Sequence, residues 1–503
     1  MYYTAISMNK KQQYILAIDQ GTSSTKTIIF NEQGKVIARG HEALQTQYLA
    51  DGYVEQDPEG IVKNVLASVQ QCLEEFRRQD RDIRAIKAIG ISNQRETFVV
   101  WDKNGRPLYN AVVWQCKRSV EICERLKSLP VAGDIRTKTG LLVDPYFSGT
   151  KLMWLYENVA AVKQAIDKGE AYFGTIDSWL LYTFTNGKSY YTDHTNASRT
   201  LFFNIATLDW DAELLQSFNL GKLNLPRCVP SSWLFGETNL LGLLKAPIPI
   251  TGMIGDSHAA AFGQACLEPG SAKATLGTGC SVMMNIGNKP KASATGMVTT
   301  ICWSTEQQVC YALEGVIVTC GATIEWLKQS WELFYDSRQT EEMATAVEDN
   351  QGVYLIPAFS GLGAPYWEMN RKASIHGLTF ATTKNHLVRA ALESIPYQIK
   401  DVIAAMETDA GLLLNQLMVD GGITGNRFVV QFLSNQLNRK VVISGFPEVS
   451  ALGAAYMAGL KAGVYTGLNQ LQELKLVKDT VLPTDIEQHK KWYEGWKRAI
   501  GLV

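Results

Sequence analysis

The chain has 503 residues, of which 46% are hydrophobic and 19% charged, and its 48 Lys and Arg residues balance 49 Asp and Glu residues. This composition excludes a disordered chain, the length predicts two domains, and the balanced charge argues against a nucleic-acid-binding protein. Apolar runs are shorter than the ~20 residues that span a bilayer, and residues 1–13 lack the apolar core of a secretory signal. Nine scattered cysteines without a CxxC pair fit neither a disulfide framework nor a zinc site. We therefore expect a cytoplasmic protein with no membrane span.

The predicted elements begin with three strands. Residues 14–19 (YILAID) form the first, a small hydroxyl-rich turn at 20–25 leads to the second at 26–30, and the third covers 36–41. Apolar residues at near-helical spacing over 61–77 then predict a helix, and residues 86–92 return as a buried strand. An antiparallel meander followed by α/β alternation predicts a mixed sheet flanked by helices.

A second strand, turn and strand follow about half a chain later. Residues 270–275 (GSAKAT) lead into the turn at 276–280, and residues 281–286 (SVMMNI) form the next strand. The repetition predicts two related α/β domains, residues 1–263 and 264–503, which face one cleft.

Three small-residue segments carry the chemistry. The first, DQGTSSTK at 19–26, offers backbone N–H groups, hydroxyls and Lys26 to a phosphate, while Asp19 can hold a divalent cation. It is neither a Walker loop nor a dinucleotide fingerprint, and a hydroxyl-rich hairpin without a ligand is the alternative. The second, LGTG at 276–279, is the matching phosphate loop, and the third, VDGGITGN at 419–426, has room for an adenine ring. The ordered trio indicates a nucleotide site.

Longer strings along the chain add a family resemblance. From residue 14 to 496 the sequence resembles the FGGY family of carbohydrate kinases, and within it the glycerol kinases. The strings that carry the resemblance are SNQRET (92–97), VWQC (113–116), DPYFSGTK (144–151), TNASRT (195–200), GLGAPYW (361–367) and ALGAAY (451–456). The resemblance implies two ribonuclease H-like domains of the actin-like ATPase type that close over ATP, Mg²⁺ and an acceptor alcohol, with the active site in the interdomain cleft.

The same resemblance assigns the acceptor site. It implies that glycerol is bound by Arg95, Glu96, Tyr146 and Asp256, that Trp114 forms an apolar wall, and that Asp256 is the catalytic base. The residue types suit this role, since a carboxylate accepts from the O–H groups of a diol, a guanidinium donates to its oxygens and aromatic rings cover its carbons. A surface ion pair is the alternative interpretation of Arg95 and Glu96.

The resemblance also assigns the nucleotide and metal. Asp19 orients or ligates Mg²⁺, through water, and Lys26 stands where glycerol kinases usually carry Arg. The nucleotide contacts it implies are Thr22, Ser23, Ser24, Lys26, Thr278, Gly321, Glu325, Gly422 and Asn426. At position 325 the carboxylate replaces a family Gln, which puts a negative charge near ATP.

Three positions around the acceptor depart from the glycerol kinase pattern. Ser257 and His258 replace two Gln residues, and Ser281 replaces a Phe that packs on glycerol carbons, so the pocket is expected to be larger and wetter. Ser257 is still expected to contact the acceptor, and His258 is expected to be packed or hydrogen-bonded.

The predicted function is ATP-dependent phosphorylation of glycerol to sn-glycerol 3-phosphate. A kinase for a four- or five-carbon polyol or sugar is the alternative within the same chemistry, because the serines enlarge the pocket. A non-catalytic, actin-like ATP switch is the alternative of another class. The expected partners are a polyol and ATP, with no nucleic acid, and a dimeric or tetrameric homo-oligomer.

Overall fold

The computed structural model describes residues 12–501, so the prediction about a secretory signal in residues 1–13 lies almost entirely outside the described residues. The chain folds as two compact units. Among the described residues, the first contains residues 12–263, Trp303–Val309 and Ser450–Leu474, and the second contains Gln264–Cys302, Cys310–Val449 and residues 475–501.

Strands and helices alternate through both units. Up to residue 263 the strands are β1 (Tyr14–Gln20), β2 (Ser24–Asn31), β3 (Val36–Ala43), β4 (Gln47–Tyr48), β5 (Val54–Gln56), β6 (Ile86–Asn93), β7 (Phe98–Asp102), β8 (Ala111–Val112), β9 (Ala171–Thr175), β10 (Tyr191–Asp193), β11 (Phe203–Asn204), β12 (Asp209–Trp210), β13 (Arg227–Val229), β14 (Ser232–Thr238) and β15 (Ile248–Gly255). The helices there are α1 (Pro58–Arg78), α2 (Val120–Lys127), α3 (Val131–Thr139), α4 (Ser148–Asn158), α5 (Ala160–Asp167), α6 (Ile176–Phe184), α7 (His194–Ala197), α8 (Ala212–Ser217) and α9 (Asp256–Gly263).

The later strands are β16 (Ser271–Leu276), β17 (Cys280–Gly287), β18 (Val298–Ser304), β19 (Val309–Ile317), β20 (Tyr354–Ile356), β21 (Ser374–His376), β22 (Gln416–Asp420), β23 (Lys440–Ser444) and β24 (Val477–Val481). The later helices are α10 (Gly321–Gln329), α11 (Gln339–Thr345), α12 (Lys384–Ala410), α13 (Arg427–Leu437), α14 (Val449–Lys461), α15 (Leu468–Glu473) and α16 (Ile486–Ile500). No helix within residues 12–501 is both long and apolar enough to cross a membrane.

The first unit is built on a six-stranded mixed sheet in the order β14-β15-β6-β1-β2-β3. Strands β1, β2 and β3 pair antiparallel, as the meander predicts, whereas β6 runs parallel to β1 and to β15. This arrangement places the carboxyl ends of β1, β6 and β15 at one edge of the sheet, where the candidate acceptor residues follow.

Helix α1 covers one face of this sheet. Asp57 caps its first turn by accepting from Glu59 N, and apolar side chains on its inner face are fully buried, among them Ile61, Val65 and Phe76. Burial of each such side chain contributes roughly 1.5–3 kcal/mol. The predicted helix over 61–77 is therefore confirmed.

Helix α14 approaches the same unit very closely. A Cβ on Gly453 would lie 1.9 Å from the carbonyl oxygen of Ala259, and one on Gly90 would lie 2.2 Å from that of Ala454. Only glycine permits both contacts, which explains the small residues in the ALGAAY string. Residues 450–474, which the sequence analysis placed in the second domain, pack with the first unit.

The second unit is built on a seven-stranded mixed sheet in the order β18-β19-β17-β16-β22-β23-β24. Here β16 pairs antiparallel with β17 and parallel with β22, as β1 does with β2 and β6. The repeated pattern confirms the predicted α/β class with two related units and mixed sheets.

A buried carboxylate organises part of the second unit's core. Asp401 accepts hydrogen bonds from Tyr366 Oη at 2.6 Å, from Trp496 Nε1 at 2.8 Å and from Tyr493. Three donors offset the cost of burying this charge. The nine cysteines are free thiols, eight of them buried, which agrees with their predicted role as small core residues.

Candidate active site

The centre of the site lies at the ends of two parallel strands of the first unit. Strand β15 is in register with β6, with Gly255 opposite Asn93; Arg95 follows β6 and Asp256 begins α9. The sheet therefore brings the two side chains together, and Arg95 Nε lies 3.4 Å from Asp256 Oδ1. The arginine side chain is 5% exposed and the aspartate 36%. The Asp256 carboxylate is therefore accessible to an alcohol, while the buried Arg95 guanidinium holds it in position.

Two aromatic rings form the next part of the site. Tyr146 Oη accepts from Arg95 Nη2 at 3.4 Å, and its ring meets that of Trp114 edge-on, with centroids 5.5 Å apart. Trp114 Nε1 in turn donates to Thr22 Oγ1 at 2.9 Å. The aromatic pair therefore connects the Arg95–Asp256 pair to the first phosphate loop. Its rings can also form an apolar wall beside the carbon atoms of a diol.

Glu96 has a partner that sequence reasoning missed. Its carboxylate Oε1 lies 2.5 Å from Arg199 Nε, and both side chains are 1% exposed. Its backbone has φ of 60°, and its carbonyl accepts from Ser148 Oγ at 2.8 Å. Arg199 belongs to the TNASRT string, but no role was assigned to it. The available signal was that a buried glutamate needs a cation.

The first phosphate loop is the tight turn between β1 and β2. Gly21 N donates to Ser24 O at 3.0 Å, and Asp19, opposite Lys26 in the ladder, accepts from Ser92 Oγ at 2.9 Å. The groups assigned to phosphate remain accessible: Ser23 is exposed, and Thr22, Ser24 and Lys26 are partly exposed. The loop therefore presents hydroxyls and an ammonium group beside a fixed carboxylate.

The second unit carries a cavity of about 540 Å³ next to its own glycine loop. The loop between β16 and β17 packs on the start of α10, where Gly321 N donates to Gly277 O at 2.9 Å. Four of the residues assigned to the nucleotide line this cavity together, namely Thr278, Gly321, Glu325 and Gly422. A volume of this size suits a small-molecule ligand.

Two of the residues assigned to nucleotide binding form hydrogen bonds with other residues of the protein. Asn426 is not among the residues lining this cavity; it caps α13 by accepting from Val429 N at 3.1 Å and donates to Thr340 Oγ1 at 3.1 Å. Glu325 accepts from Ser337 Oγ at 3.2 Å. The carboxylate at position 325 therefore lies on the cavity wall, and the amide at 426 stabilises the helix behind the third segment.

A buried polar network that the sequence analysis missed supports that third segment. Asp420, at the end of β22, accepts a hydrogen bond from Gln264 Nε2. Burial raises the pKa of the Asp420 carboxyl, and the charge of nearby Lys273 only partly opposes this rise. Gly421 follows with φ of 94°, and a Cβ there would lie 2.3 Å from Leu276 O. Asp420 and Gly421 therefore fix the chain where it enters the cavity wall.

The three departures from the family pattern have different surroundings. Ser257 is partly exposed in the first turn of α9, and its backbone N–H donates to Asp256 Oδ1 at 2.6 Å. His258 is completely buried, in keeping with the expected packed histidine. Ser281 lies on β17 in the second unit and donates to Glu314 Oε1 at 3.4 Å.

The comparisons with known proteins cover nearly the whole chain. Residues 14–263 match the N-terminal domain of the FGGY family of carbohydrate kinases, and residues 272–462 match its C-terminal domain. A glycerol kinase from Thermoanaerobacter sp. (strain X514) is 46% identical over 490 residues, 97% of this chain and 98% of the relative. One from Pseudomonas putida is 45% identical over 97% of each chain. The crystal structure of Plasmodium falciparum glycerol kinase with ADP superposes with a TM-score of 0.92 at 36% identity, covering 97% and 98% of the two chains. The chain therefore belongs to the FGGY family of carbohydrate kinases.

Proposed function

We propose that this chain transfers the γ-phosphoryl group of ATP to a terminal hydroxyl of glycerol, giving sn-glycerol 3-phosphate and ADP. The observation that carries the proposal is the Arg95–Asp256 pair, with Tyr146 and Trp114 beside it. It occurs in a chain 46% identical to a glycerol kinase over nearly its full length. A nucleotide switch without an acceptor has no need of such a diol pocket.

Arg95 and Asp256 divide the work on the acceptor. Asp256 accepts the proton of the attacking hydroxyl, and the Arg95 guanidinium donates to an acceptor oxygen while it holds the carboxylate in place. Glu96 is fixed by Arg199 and accepts from a second hydroxyl. Trp114 and Tyr146 cover the carbon edge and exclude water that would compete for the phosphoryl group.

The chemical step is an in-line displacement at phosphorus. The acceptor oxygen forms a bond to the γ-phosphorus, the bond from that phosphorus to the β–γ bridging oxygen breaks, and the hydroxyl proton passes to Asp256. ADP leaves with the bridging oxygen. Thr22, Ser23, Ser24 and Lys26 stabilise the charge on the phosphoryl oxygens.

The residues near the first loop fit a magnesium ion. No group of three or more His, Cys, Asp or Glu side chains gathers within the described part of the chain. A single fixed carboxylate, Asp19, suits Mg²⁺ because that ion keeps several waters and takes its other ligands from substrate phosphates. When bound, Mg²⁺ neutralises charge on the β- and γ-phosphates.

The nucleotide's remaining contacts are proposed in the second unit. Thr278 contributes a hydroxyl, Gly321 and Gly422 permit close approach, and Glu325 borders the base or ribose. Four of these proposed contacts line one cavity of about 540 Å³. Asn426 is proposed to act at the edge of the same segment through the helix it caps.

The test is an ADP-release assay with purified chain, ATP and Mg²⁺. Glycerol is compared with erythritol, threitol, xylitol, ribitol, dihydroxyacetone, glyceraldehyde and xylulose. We expect the highest kcat/KM for glycerol. A four- or five-carbon acceptor that wins would instead show that Ser257 and Ser281 have refitted the site, and ATP turnover without any phosphorylated alcohol would favour the switch.

We further propose a cellular compartment and an oligomeric state for the enzyme. Nine free thiols suit a reducing compartment, and ATP is consumed there, so we propose a cytoplasmic enzyme. We also propose a dimer or tetramer, which light scattering on the purified chain would check.

A further inference from the structure

A buried lysine lies directly behind the acceptor residues without touching the pocket. Lys151 is in the first turn of α4 and is fully buried. Its Nζ donates to three successive carbonyl oxygens, those of Pro145 at 2.6 Å, Tyr146 at 2.7 Å and Phe147 at 2.9 Å. One ammonium group therefore holds a whole turn of backbone, which we call the 145–147 turn.

This position is electrostatically unfavourable for helix α4. A helix N-terminus carries partial positive charge, so a cation in the first turn is disfavoured, and burial of an ammonium group adds a desolvation cost. The three carbonyls offset both, because an ammonium group has three N–H donors and here each finds one acceptor. The burial of Lys151 is therefore coupled to the position of this turn through the three hydrogen bonds.

The 145–147 turn presents two aromatic side chains to the guanidinium groups of the site. Tyr146 Oη accepts from Arg95 Nη2 at 3.4 Å. The Arg199 guanidinium lies 5.0 Å from the Phe147 ring centroid and 5.7 Å from that of Tyr146. A shift of this turn would therefore move a neighbour of both Arg95 and the cation that fixes Glu96.

We propose that Lys151 is a positioning residue for the acceptor, which acts through the backbone of the 145–147 turn on Tyr146. The inference rests on the proposed function, since it assigns the acceptor to this pocket. Its effect falls first on acceptor binding, because Tyr146 contacts Arg95 directly and reaches the first phosphate loop only through Trp114.

The protonation state of Lys151 supports the same role. Burial lowers its pKa to about 8, although Glu96, Cys116, Asp144 and Cys123 act in the opposite direction. A neutral amine has two N–H donors for three carbonyls, so one hydrogen bond is lost when the proton leaves. The 145–147 turn is therefore held most firmly below pH 8.

The first experiment compares Lys151→Met, which keeps the length of the side chain and removes the donors, with the parent. We expect the KM for glycerol to rise about ten-fold, since misplacement of a binding group lowers affinity steeply, while the KM for ATP stays within about two-fold. A parent that does not phosphorylate glycerol would refute the proposed function. A parent that does, with a glycerol KM unchanged in Lys151→Met, would refute this inference alone.

A double-mutant cycle separates positioning from general stability. If Lys151 acts through Tyr146, adding Lys151→Met to Tyr146→Ala raises the glycerol KM by no more than about two-fold over Tyr146→Ala alone. Multiplicative losses would contradict the inference, as would a parallel rise in the KM for ATP.

The pH dependence of the parent's glycerol KM tests the inference even if Lys151→Met does not fold. We expect its glycerol KM to rise between about pH 7 and 9 as Lys151 loses its proton, with the midpoint near pH 8. Lys151→Met, if folded, should show no such rise, and a parent profile that is flat across this window would overturn the inference.

Discussion

Glu96 and Arg199 are 103 residues apart in sequence and form an ion pair of 2.5 Å in which both side chains are 1% exposed. The same arginine lies over the Phe147 ring, with its central carbon 5.0 Å from the centroid. The Glu96 carboxylate, which is assigned to the acceptor, is therefore held by a buried cation. The alternative interpretation, in which Arg95 and Glu96 form an ion pair at the surface, does not fit this burial.

Removal of that cation should destabilise the first unit. Arg199→Met removes the ion-pair partner of the buried Glu96 carboxylate, and we expect the free energy of unfolding to fall by about 3–5 kcal/mol. Urea titration followed by fluorescence measures it. Arg338→Met is the matched control, because its partner Asp336 and the arginine itself lie at the surface; it should cause no measurable change. Equal losses in the two variants would contradict the assignment.

Asp256→Asn tests the proposed base. The amide cannot accept the hydroxyl proton, so kcat should fall by at least about 100-fold, whereas ATP affinity measured by calorimetry should be unchanged. Asp134→Asn, which alters an exposed aspartate of α3, is the control and should retain the parent's kcat. Turnover at the parent's rate in Asp256→Asn would remove this residue from the base role.

Local pattern was sufficient to predict the strands around the loops. Residues 14–19 and 26–30 were expected as strands and lie within β1 (Tyr14–Gln20) and β2 (Ser24–Asn31). The turn is shorter than predicted because Gln20 still pairs with Thr25 in the ladder. Small hydroxyl-bearing residues mark a turn, but they do not show how far the ladder continues into it.

Partners that are distant in sequence could not be predicted in this way. Arg199 has no local signal, since its partner Glu96 is 103 residues away and the packing of the TNASRT segment brings the two together. The same holds for residues 450–474, which belong to the first unit although they follow most of the second unit in the sequence. Hydrophobic periodicity predicts which face of a helix or strand is buried, but it does not predict which other element packs against that face.

Gly421 provides a test of the nucleotide segment. Its φ of 94° and the 2.3 Å approach to Leu276 O leave no room for a side chain. Gly421→Ala should therefore lower stability by about 1–3 kcal/mol and weaken ATP binding about ten-fold or more. Gly425→Ala is the matched control, because Gly425 ends the short 3-10 helix (Gly422–Gly425) that Gly421 precedes, and a Cβ there meets nothing within 4 Å. If both variants bind ATP equally, the segment is not part of the site.

Asp177 gives the first unit a pH-dependent stability. It is fully buried and accepts from Thr175 Oγ1 at 2.6 Å and Thr192 Oγ1 at 2.8 Å. Burial raises its pKa to about 7, and neighbouring Asp193 acts in the same direction. In the unfolded chain it ionises near its usual value of about 4. Between these values the folded state binds more protons, so the stability contributed by Asp177 falls as pH rises and the loss is complete above about pH 7.

Asp177→Asn should remove this part of the pH dependence. Between pH 5 and 8 the free energy of unfolding of the variant should decline less, or rise more, than that of the parent, as measured by urea titration at each pH. Asp167→Asn is the control, since a hydrogen bond from Tyr156 lowers the pKa of that exposed carboxyl and its charge does not change in this window. If Asp177→Asn and the parent have parallel curves, Asp177 is ionised throughout, and the cost of its burial must be offset by the hydrogen bonds it accepts from the two threonine hydroxyls and from backbone N–H groups, including that of Asp193.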